Sequence, residues 1–416
     1  MDRKMQKYSS LAIFFCLFSL ARGAWEPLGP FGGNLRALVV DPSNESNLFT
    51  ASISLPCKIF KSTDYGDSWH YISSIPNLVY CLAVDPNNPL VLYAGSYACV
   101  YRSNDGGASW ICHSLTGQQV YGIVVHPQLS TTVFATGISM SGGHFVETFF
   151  KSTDGGVNWT NIFLNTNTGY SYCLTLDPTN PNIIYVGGYY YDTTNCPSVY
   201  KSSDCGSSFI ELSSGLPSSS QCVYSLAVHP THPDYLYAGT YFGGIYRSTD
   251  AGLSWLQVCA DGRYFSSLTT TPADPNLVYA GSDTVIFKST DSGASWFRTG
   301  IGYGGSRKVF RCIEASPSSA SLVYTTDNFG FFKTTNSGVN WRESNYCITL
   351  ASIRCLTVAP SSPSTIYIYI KDYGAFKSVN SGLNWAILSL PIGCGISSIT
   401  THNTNPDIAL ALEADA

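Results

Sequence analysis

The chain has 416 residues; 44% are hydrophobic, only 12% are charged, and 22 Lys and Arg stand against 27 Asp and Glu for a net charge of −5. An average globular chain is roughly a quarter charged, and a slightly acidic, charge-poor chain excludes a nucleic-acid binder that works through a basic stripe. The 28 Tyr and 8 Trp, beside only 3 Met, suit an all-β protein that works outside the cytoplasm.

Residues 1–23 read as a secretory signal. Arg3, Lys4 and Lys7 precede a mostly apolar run from Leu11 to Leu20, and Ala21-Arg22-Gly23 offers small residues for cleavage after Gly23. That run is too short for a stop-transfer helix, and no later segment holds 18 unbroken apolar residues. The expectation is a secreted protein without a membrane span in the mature chain. Cys16 would leave with the signal, so an odd number of the 14 cysteines remains.

From there one box recurs eight times. It first reads Ser62-Thr63-Asp64-Tyr65-Gly66-Asp67-Ser68-Trp69. Later copies place Asp105, Gly107 and Trp110; Asp154, Gly156 and Trp159; Asp204, Gly206 and Phe209. Then follow Asp250, Gly252 and Trp255; Asp291, Gly293 and Trp296; Asn336, Gly338 and Trp341; Asn380, Gly382 and Trp385. The spacing averages about 45 residues, the length of a four-stranded propeller blade.

Between boxes lies an inner strand with a small residue at one position: Ala37, Cys81, Gly122, Cys173, Ser225, Ser267, Cys312, Cys355 and Ser398. A second strand follows, as in Leu92-Tyr93-Ala94-Gly95, and a third runs into each box, as in Ile245-Tyr246-Arg247-Ser248. The fourth begins at the box Trp. The expected fold is an all-β propeller of about eight four-stranded blades, from about Leu35 to Leu390. An incomplete ninth strand pair, Ile396 to Thr401 and Ile408 to Leu412, follows. Residues 24–416 are read as a single propeller domain whose last repeat is unfinished: either its closure is irregular or the chain is a fragment of a longer protein, with the fragment favoured.

The box explains itself mechanically. Its Asp or Asn accepts hydrogen bonds from the turn's own N–H groups, its Gly supplies positive φ, and its Trp covers the hairpin. Asn replaces Asp twice, so charge is not required, which argues against calcium. Asp64, Asp105, Asp154, Asp204, Asp250, Asp291, Asn336 and Asn380 are therefore structural. Cys81, Cys173, Cys312 and Cys355 replace Ala, Gly or Ser, so they are expected to be free buried thiols. The loop cysteines suggest disulfides Cys57–Cys99 and Cys347–Cys394.

These S-x-D-x-G-x-x-W repeats resemble the Asp boxes, or BNR repeats, of sialidases, sortilin-type receptors, xyloglucanase-type glycoside hydrolases and a photosystem II assembly factor. The resemblance covers nearly the whole mature chain and speaks to fold far more than to function. A sialidase would bring three arginines on its substrate carboxylate, a Tyr nucleophile and an F/Y-R-I-P motif, which this sequence lacks. The xyloglucanase type implies catalytic Asp residues in two tandem propellers around a cleft, and the first blade here reads Thr50-Ala51-Ser52-Ile53 where an acid would stand. Acids outside the repeat pattern include Glu147, Asp192, Asp283, Glu314, Asp327 and Asp372. Glu314 is the most interesting, since it replaces Val39, Ala83 or Thr175 on an inner strand, where it could instead pair with Arg311 or Arg354. His126, His229 and His402 stand where Asp41 and Asp85 cap a turn, and the other histidines show no metal-ligand spacing. No catalytic constellation, metal or cofactor is expected.

The residue before each small position faces the loop end of the channel. It reads Arg36, Tyr80, Tyr121, Tyr172, Tyr224, Ser266, Arg311, Arg354 and Ser397. In an eight-blade ring, blades seven, eight and one are neighbours, so Arg311, Arg354 and Arg36 would gather opposite a tyrosine arc. One reading is strand packing with half-buried Tyr; the other is a ligand-binding rim, and the assembly-factor resemblance implies an arginine patch there. Insertions Ser139 to Glu147 and Tyr189 to Pro197 place Glu147 and Asp192 on the same face. The expected function is a secreted, non-catalytic propeller that binds a peptide, protein or carbohydrate partner on the loop face opposite the boxes. The alternative is a glycoside hydrolase of the xyloglucanase- or sialidase-like propeller type.

Overall fold

A computed structural model describes residues 34–191, 196–216, 222–299, 310–327, 330–344, 353–370, 374–380, 385–388, 396–401, 405–407 and 409–413. These are strands and turns throughout, and no helix among them is long and apolar enough to cross a membrane. Residues 32–348 form one compact unit, and the strands after Thr349 belong to another.

In the larger unit the first blade is β1 (Leu35–Val40), β2 (Leu48–Ser52), β3 (Cys57–Ser62) and β4 (His70–Ile75). Next comes a nine-stranded sheet of β5 (Val79–Asp85), β6 (Asn88–Ser103), β7 (Ile111–Val125), β8 (Val133–Ser141), β9 (His144–Ser152), β10 (Thr160–Leu176), β11 (Ile184–Tyr191), β12 (Cys196–Ser202) and β13 (Ile210–Glu211). It amounts to blades two, three and four. β6 supplies the second and third strands of blade two: its first half pairs with β5 and its second with β7. β7 and β10 each leave one blade as its outer strand and enter the next as its inner strand.

Blade five is β14 (Val223–Val228), β15 (Leu236–Thr240), β16 (Ile245–Ser248) and β17 (Leu256–Cys259). Blade six is β18 (Phe265–Thr270), β19 (Val278–Ser282), β20 (Ile286–Ser289) and β21 (Phe297–Arg298). Blade seven is β22 (Cys312–Ala315), β23 (Val323–Thr326), β24 (Phe331–Thr334) and β25 (Arg342–Glu343). The smaller unit holds an eighth blade, β26 (Ile353–Ala359), β27 (Ser362–Ile370), β28 (Gly374–Ser378) and β29 (Ala386–Leu388), and the pair β30 (Ile396–Thr401) and β31 (Ala409–Glu413). The chain is thus an all-β propeller fold of four-stranded blades with an unfinished ninth pair.

The box hairpins are built by one set of bonds. In the first, Asp64 Oδ1 accepts from the Ser68 N–H at 2.8 Å, and Ser62 Oγ accepts from the Gly66 N–H at 2.8 Å. Asn336 accepts from the Asn340 N–H at 2.9 Å in the same way, so an amide serves as well as a carboxylate. Gly66 (φ 77°) takes the left-handed conformation the turn demands. The opposite turns are capped as expected: Asp41 Oδ1 accepts from the Ser43 N–H at 2.9 Å, and His126 Nδ1 from the Gln128 N–H at 3.2 Å.

Blades join through side chains that reach the next blade's box. Lys151 Nζ donates to the Cys205 carbonyl at 2.7 Å and Lys288 Nζ to the Ser337 carbonyl at 2.8 Å. Lys333, in the same place on blade seven, donates to the Tyr65 carbonyl of blade one at 2.9 Å. Some box Trp residues make a return contact: Trp255 Nε1 donates to the Leu212 carbonyl of blade four, and Trp69 Nε1 to the Ser344 carbonyl of blade seven, whereas Trp159 and Trp296 donate to the glycine carbonyl of their own box. Blade seven therefore meets blade one as any blade meets its successor, and β1 packs directly on β22. The expected adjacency of blades seven, eight and one is corrected accordingly: no blade stands between the seventh and the first.

The cysteines are corrected in one respect. Cys99 pairs with Cys112, across the third and fourth strands of blade two, instead of with Cys57. Cys57 is a free thiol inside the core, donating to the Ser52 carbonyl at 3.0 Å. Cys81, Cys173 and Cys312 are free, as expected. Cys347, Cys394 and the side chain of Cys355 lie outside the described residues.

Candidate functional site at the loop end of the ring

Six inner strands of the larger unit share an irregularity in the same place, as do β26 and β30 of the smaller one. The pairing skips one residue between Leu35 and Ala37, Val79 and Cys81, Val120 and Gly122, Ser171 and Cys173, Val223 and Ser225, and Phe265 and Ser267. The skipped residues are Arg36, Tyr80, Tyr121, Tyr172, Tyr224 and Ser266. A β-bulge leaves its extra residue out of the ladder and re-aims its side chain. Here it turns one side chain per blade to the channel mouth. Arg311 stands just before β22 in the equivalent place, its N–H bonded to the Thr326 carbonyl at 3.0 Å.

The expected tyrosine arc is continuous. Ring centroids lie 5.1 Å apart for Tyr80 and Tyr121, 5.4 Å for Tyr121 and Tyr172, and 4.3 Å for Tyr172 and Tyr224, the last pair stacked. Tyr264, missed in the sequence, extends it: its ring lies 4.7 Å from Tyr224. The available signal was Ser266, whose small side chain leaves a gap that a residue two positions earlier can fill. Tyr170 and Tyr189 stack beside Tyr172. At the other end of the arc the Arg36 guanidinium lies 4.4 Å above the Tyr80 ring. Burial pushes the Tyr121 phenol up to about 12, and those of Tyr172 and Tyr264 higher still, so all three keep their protons at neutral pH.

Exposed aromatic side chains stand where a second strand gives way to a third, in mid-β6 and in the β15–β16 turn. Tyr97 is 53% exposed, Tyr241 38% and Phe242 49%. Tyr241 touches the arc directly, 5.6 Å from Tyr264 and 5.9 Å from Tyr224. Phe242 holds φ at 57°, a left-handed conformation that bulky residues rarely adopt, and so projects its ring from the turn.

Arg36 and Arg311 are brought together, each within the field of the other, by the direct packing of β1 on β22. Arg354 belongs to β26 of the other unit, and its side chain, like Asp192, lies outside the described residues. Glu147 is not on the rim. The insertion expected as a loop is an extension of the β8–β9 hairpin, turning at Gly142 and Gly143, and it carries Glu147 inward. There Ser198 Oγ donates to one carboxylate oxygen at 2.5 Å and Tyr200 OH to the other at 2.9 Å. Burial pushes Glu147 up to about 8. Burial likewise pushes Glu314, on the β22 wall, up to about 7.

Most other described acids have structural partners. Asp67 pairs with Lys333 and Arg342, Asp261 with Arg263 and Arg298, and the box and turn Asp residues with their own backbones. Among the described residues no group of three or more His, Cys, Asp or Glu could hold a metal ion.

No family model matches the chain. Two curated proteins resemble it in sequence. A xyloglucanase from Paenibacillus sp. is 28% identical over 279 residues, 59% of this chain and 24% of that protein. A probable oligoxyloglucan-reducing end-specific xyloglucanase from Neosartorya fischeri is 26% identical over 136 residues, 30% of this chain and 17% of that protein. The chain thus spans a quarter or less of the length of either relative. Among solved structures, the GH74 xyloglucanase from Xanthomonas campestris superposes with a TM-score of 0.63 at 14% identity, covering 89% of this chain and 70% of that one. YCF48 bound to D1 peptide superposes with a TM-score of 0.54 at 14% identity, covering 74% of this chain and 94% of that one. At these identities the structural likeness establishes the propeller fold, and the chain's resemblance in sequence is to carbohydrate-active propellers.

Proposed function

We propose that the loop face of the seven-blade ring binds a glycan, and that the protein is a secreted, non-catalytic carbohydrate-binding propeller. The observation that carries this is the bulge-presented arc from Tyr80 to Tyr224, extended by Tyr264, with Tyr97, Tyr241 and Phe242 exposed. Sugar rings present apolar C–H faces edged by hydroxyls, and tyrosine offers a flat apolar body with a hydrogen-bonding tip. The sequence relatives named xyloglucanases support the ligand class. Glycan hydrolysis is the second reading, favoured by Glu314, whose raised pKa suits a proton donor. A hydrolase needs a second carboxylate within about 5 to 9.5 Å of the first, and Glu147, the other strongly perturbed acid, is enclosed by Ser198 and Tyr200.

The test titrates the full chain with xyloglucan, β-glucan and chitin oligosaccharides by calorimetry, while assaying release of reducing ends. Binding without turnover is expected for at least one of them. Tyr241→Ala with Phe242→Ala should weaken it at least about thirtyfold, since flat stacking contacts are worth on the order of 1 to 3 kcal/mol each and tenfold in affinity is about 1.4 kcal/mol. Turnover abolished by Glu314→Gln would replace binding with hydrolysis as the function. A folded protein that binds none of these sugars would remove the glycan reading.

A further inference from the structure

The connection from β17 to β18 differs from its counterparts. β7 and β10 make the same passage from outer to inner strand without a single Asp, Glu, Lys or Arg, so the fold itself does not call for charge there. Between β17 and β18 stand Asp261 and Arg263. They gather Asp283, from the β19–β20 turn, and Arg298 of β21. Three of the six ion pairs among the described residues fall in this one cluster. In a chain that is 12% charged, that is a local concentration and not a sample of the surface.

Arg263 is the hub. Its Nε lies 3.0 Å from Asp261 Oδ1, its Nη1 lies 3.5 Å from Asp283 Oδ1, and Nη1 donates to Thr284 Oγ1. Arg298 Nη2 donates to Asp261 Oδ2 at 2.8 Å. The two carboxylates are not equally occupied. Asp261 is held at both oxygens. The Asp283 side chain makes no hydrogen bond among the described residues, and its Oδ1 is covered without a partner. Its 34% exposure therefore falls on the remainder of the group. The Arg263 charge fixes where this carboxylate stands and leaves its acceptor capacity unspent.

The cluster borders the aromatic site. Tyr264 follows Arg263 in the chain, its ring lies 5.6 Å from Tyr241, and the Tyr241 ring lies 4.3 Å from Phe242. A Cβ on Gly262 would stand 3.8 Å from the Phe242 carbonyl. Exposed flat rings and a carboxylate with spare acceptors thus share one edge of the loop face. A hydroxyl both donates and accepts. A sugar whose apolar face lies on these rings can give hydroxyl protons to Asp283 and accept from Arg298, which is 59% exposed. An acidic sugar would set a like charge against Asp283, which points to a neutral one.

We propose that Asp283, positioned by Arg263 and flanked by Arg298, is the hydroxyl-reading part of the glycan site: its carboxylate accepts from ring hydroxyls of a neutral sugar seated on Tyr241 and Phe242. The assignment rests on the glycan reading above and narrows its ligand to neutral chains with free ring hydroxyls at the stacked unit.

The test titrates the full chain by calorimetry with cellotetraose and with per-O-methylated cellotetraose, whose ethers keep the sugar rings and remove every hydroxyl donor. The methylated sugar should bind more weakly or not at all. Asp283→Ala should weaken cellotetraose about tenfold, the loss of one charge-assisted hydrogen bond, and leave any binding of the methylated sugar unchanged. Asp283→Asn keeps the shape and one acceptor without the charge, so it should weaken cellotetraose severalfold and decides the matter if Asp283→Ala misfolds. Unchanged cellotetraose affinity in these variants, equal weakening of both sugars, or wild-type binding of the methylated sugar as tight as that of cellotetraose overturns the assignment and leaves the glycan reading standing. Cellotetraose that does not bind also overturns it, and the glycan reading falls with it only if the xyloglucan and chitin oligosaccharides fail too.

Discussion

Burial decides what individual side chains of this propeller can do. Glu147 faces Gly188, where an added Cβ would come within 2.7 Å of its carboxyl oxygen, so the acid fills space that glycine leaves. Two hydroxyl donors are too few to hold a buried carboxylate ionised, and the group stays protonated to about 8. The sign of the pH effect follows. The folded value lies above the ordinary carboxyl value of 4.5, so Glu147's contribution to stability is complete below 4.5 and is lost as pH rises through about 8. Across that window stability should fall by up to about 1.4 kcal/mol per pH unit for one proton. Glu147→Gln should flatten the dependence, read from melting temperature against pH; an unchanged slope would assign it elsewhere. The free thiols obey size alone. Cys173 Sγ lies against Gly187, Cys81 against Gly95, and burial raises the pKa of both thiols. Cys173→Ala should cost about 1 kcal/mol or less, as Ala fills the equivalent place in blade one. The small residue was legible because every repeat shows it. The position of Glu147 was not, because an insertion of nine residues reads equally as a loop or as two longer strands.

At the level of the blade, the hairpin and the strand pair have different tolerances. Asn336 closes its box as Asp105 does, each accepting a backbone N–H at 2.9 Å. Asp105→Asn should therefore cost little, and Asp105→Ala clearly more, since the latter leaves the turn's N–H groups without their acceptor. Trp69 is fully buried and bonds to the neighbouring blade, so Trp69→Ala should cost about 3 to 5 kcal/mol. Glycan binding by whatever fraction stays folded should be unchanged, because the boxes sit at the other end of the blade. Denaturant titration ranks all three; Asp105→Asn proving as costly as Asp105→Ala would mean that charge matters after all. The second strand is less forgiving. A Cβ at Gly187 would come within 2.7 Å of Val223 and 2.8 Å of Cys173, so Gly187→Ala should cost about 1 to 3 kcal/mol. These elements were readable in the sequence because each is local: the box carries its acceptor, its glycine and its cover within eight residues. The bulge that aims Tyr80 or Tyr172 was not, since nothing in Val79-Tyr80-Cys81 says which residue drops out of the ladder.

Closure belongs to the whole ring. The number of blades that fill a circle depends on the angle between neighbours, which side-chain size sets a little at every seam, so eight repeats in a row did not reveal that seven close. The seam between blades seven and one carries more than the standard contacts. Besides the Lys333 and Trp69 bonds, Ser344 Oγ donates to the Gly66 carbonyl at 2.7 Å, the Leu35 N–H to the Asp327 carbonyl at 3.3 Å, and the Ser318 N–H to Glu45 at 2.8 Å. Lys333 Nζ also pairs with Asp67 at 2.7 Å, with its side chain only 3% exposed. All these groups lie within residues 34–344. That span, expressed alone, should fold as a closed ring and melt in one cooperative transition, because each blade then has two neighbours. Lys333→Ala should lower its stability by about 2 kcal/mol, the usual worth of a charge-assisted hydrogen bond. The same change at Lys288 cuts a matching bond at an internal seam, where the chain itself still links the two blades. At the closing seam no covalent link backs up the side chains, so Lys333→Ala should also speed unfolding more than Lys288→Ala does. Stopped-flow unfolding of the two variants measures that difference directly. Equal unfolding rates, or a fragment that melts blade by blade as an open repeat array would, would show that the ring does not depend on this seam to stay shut.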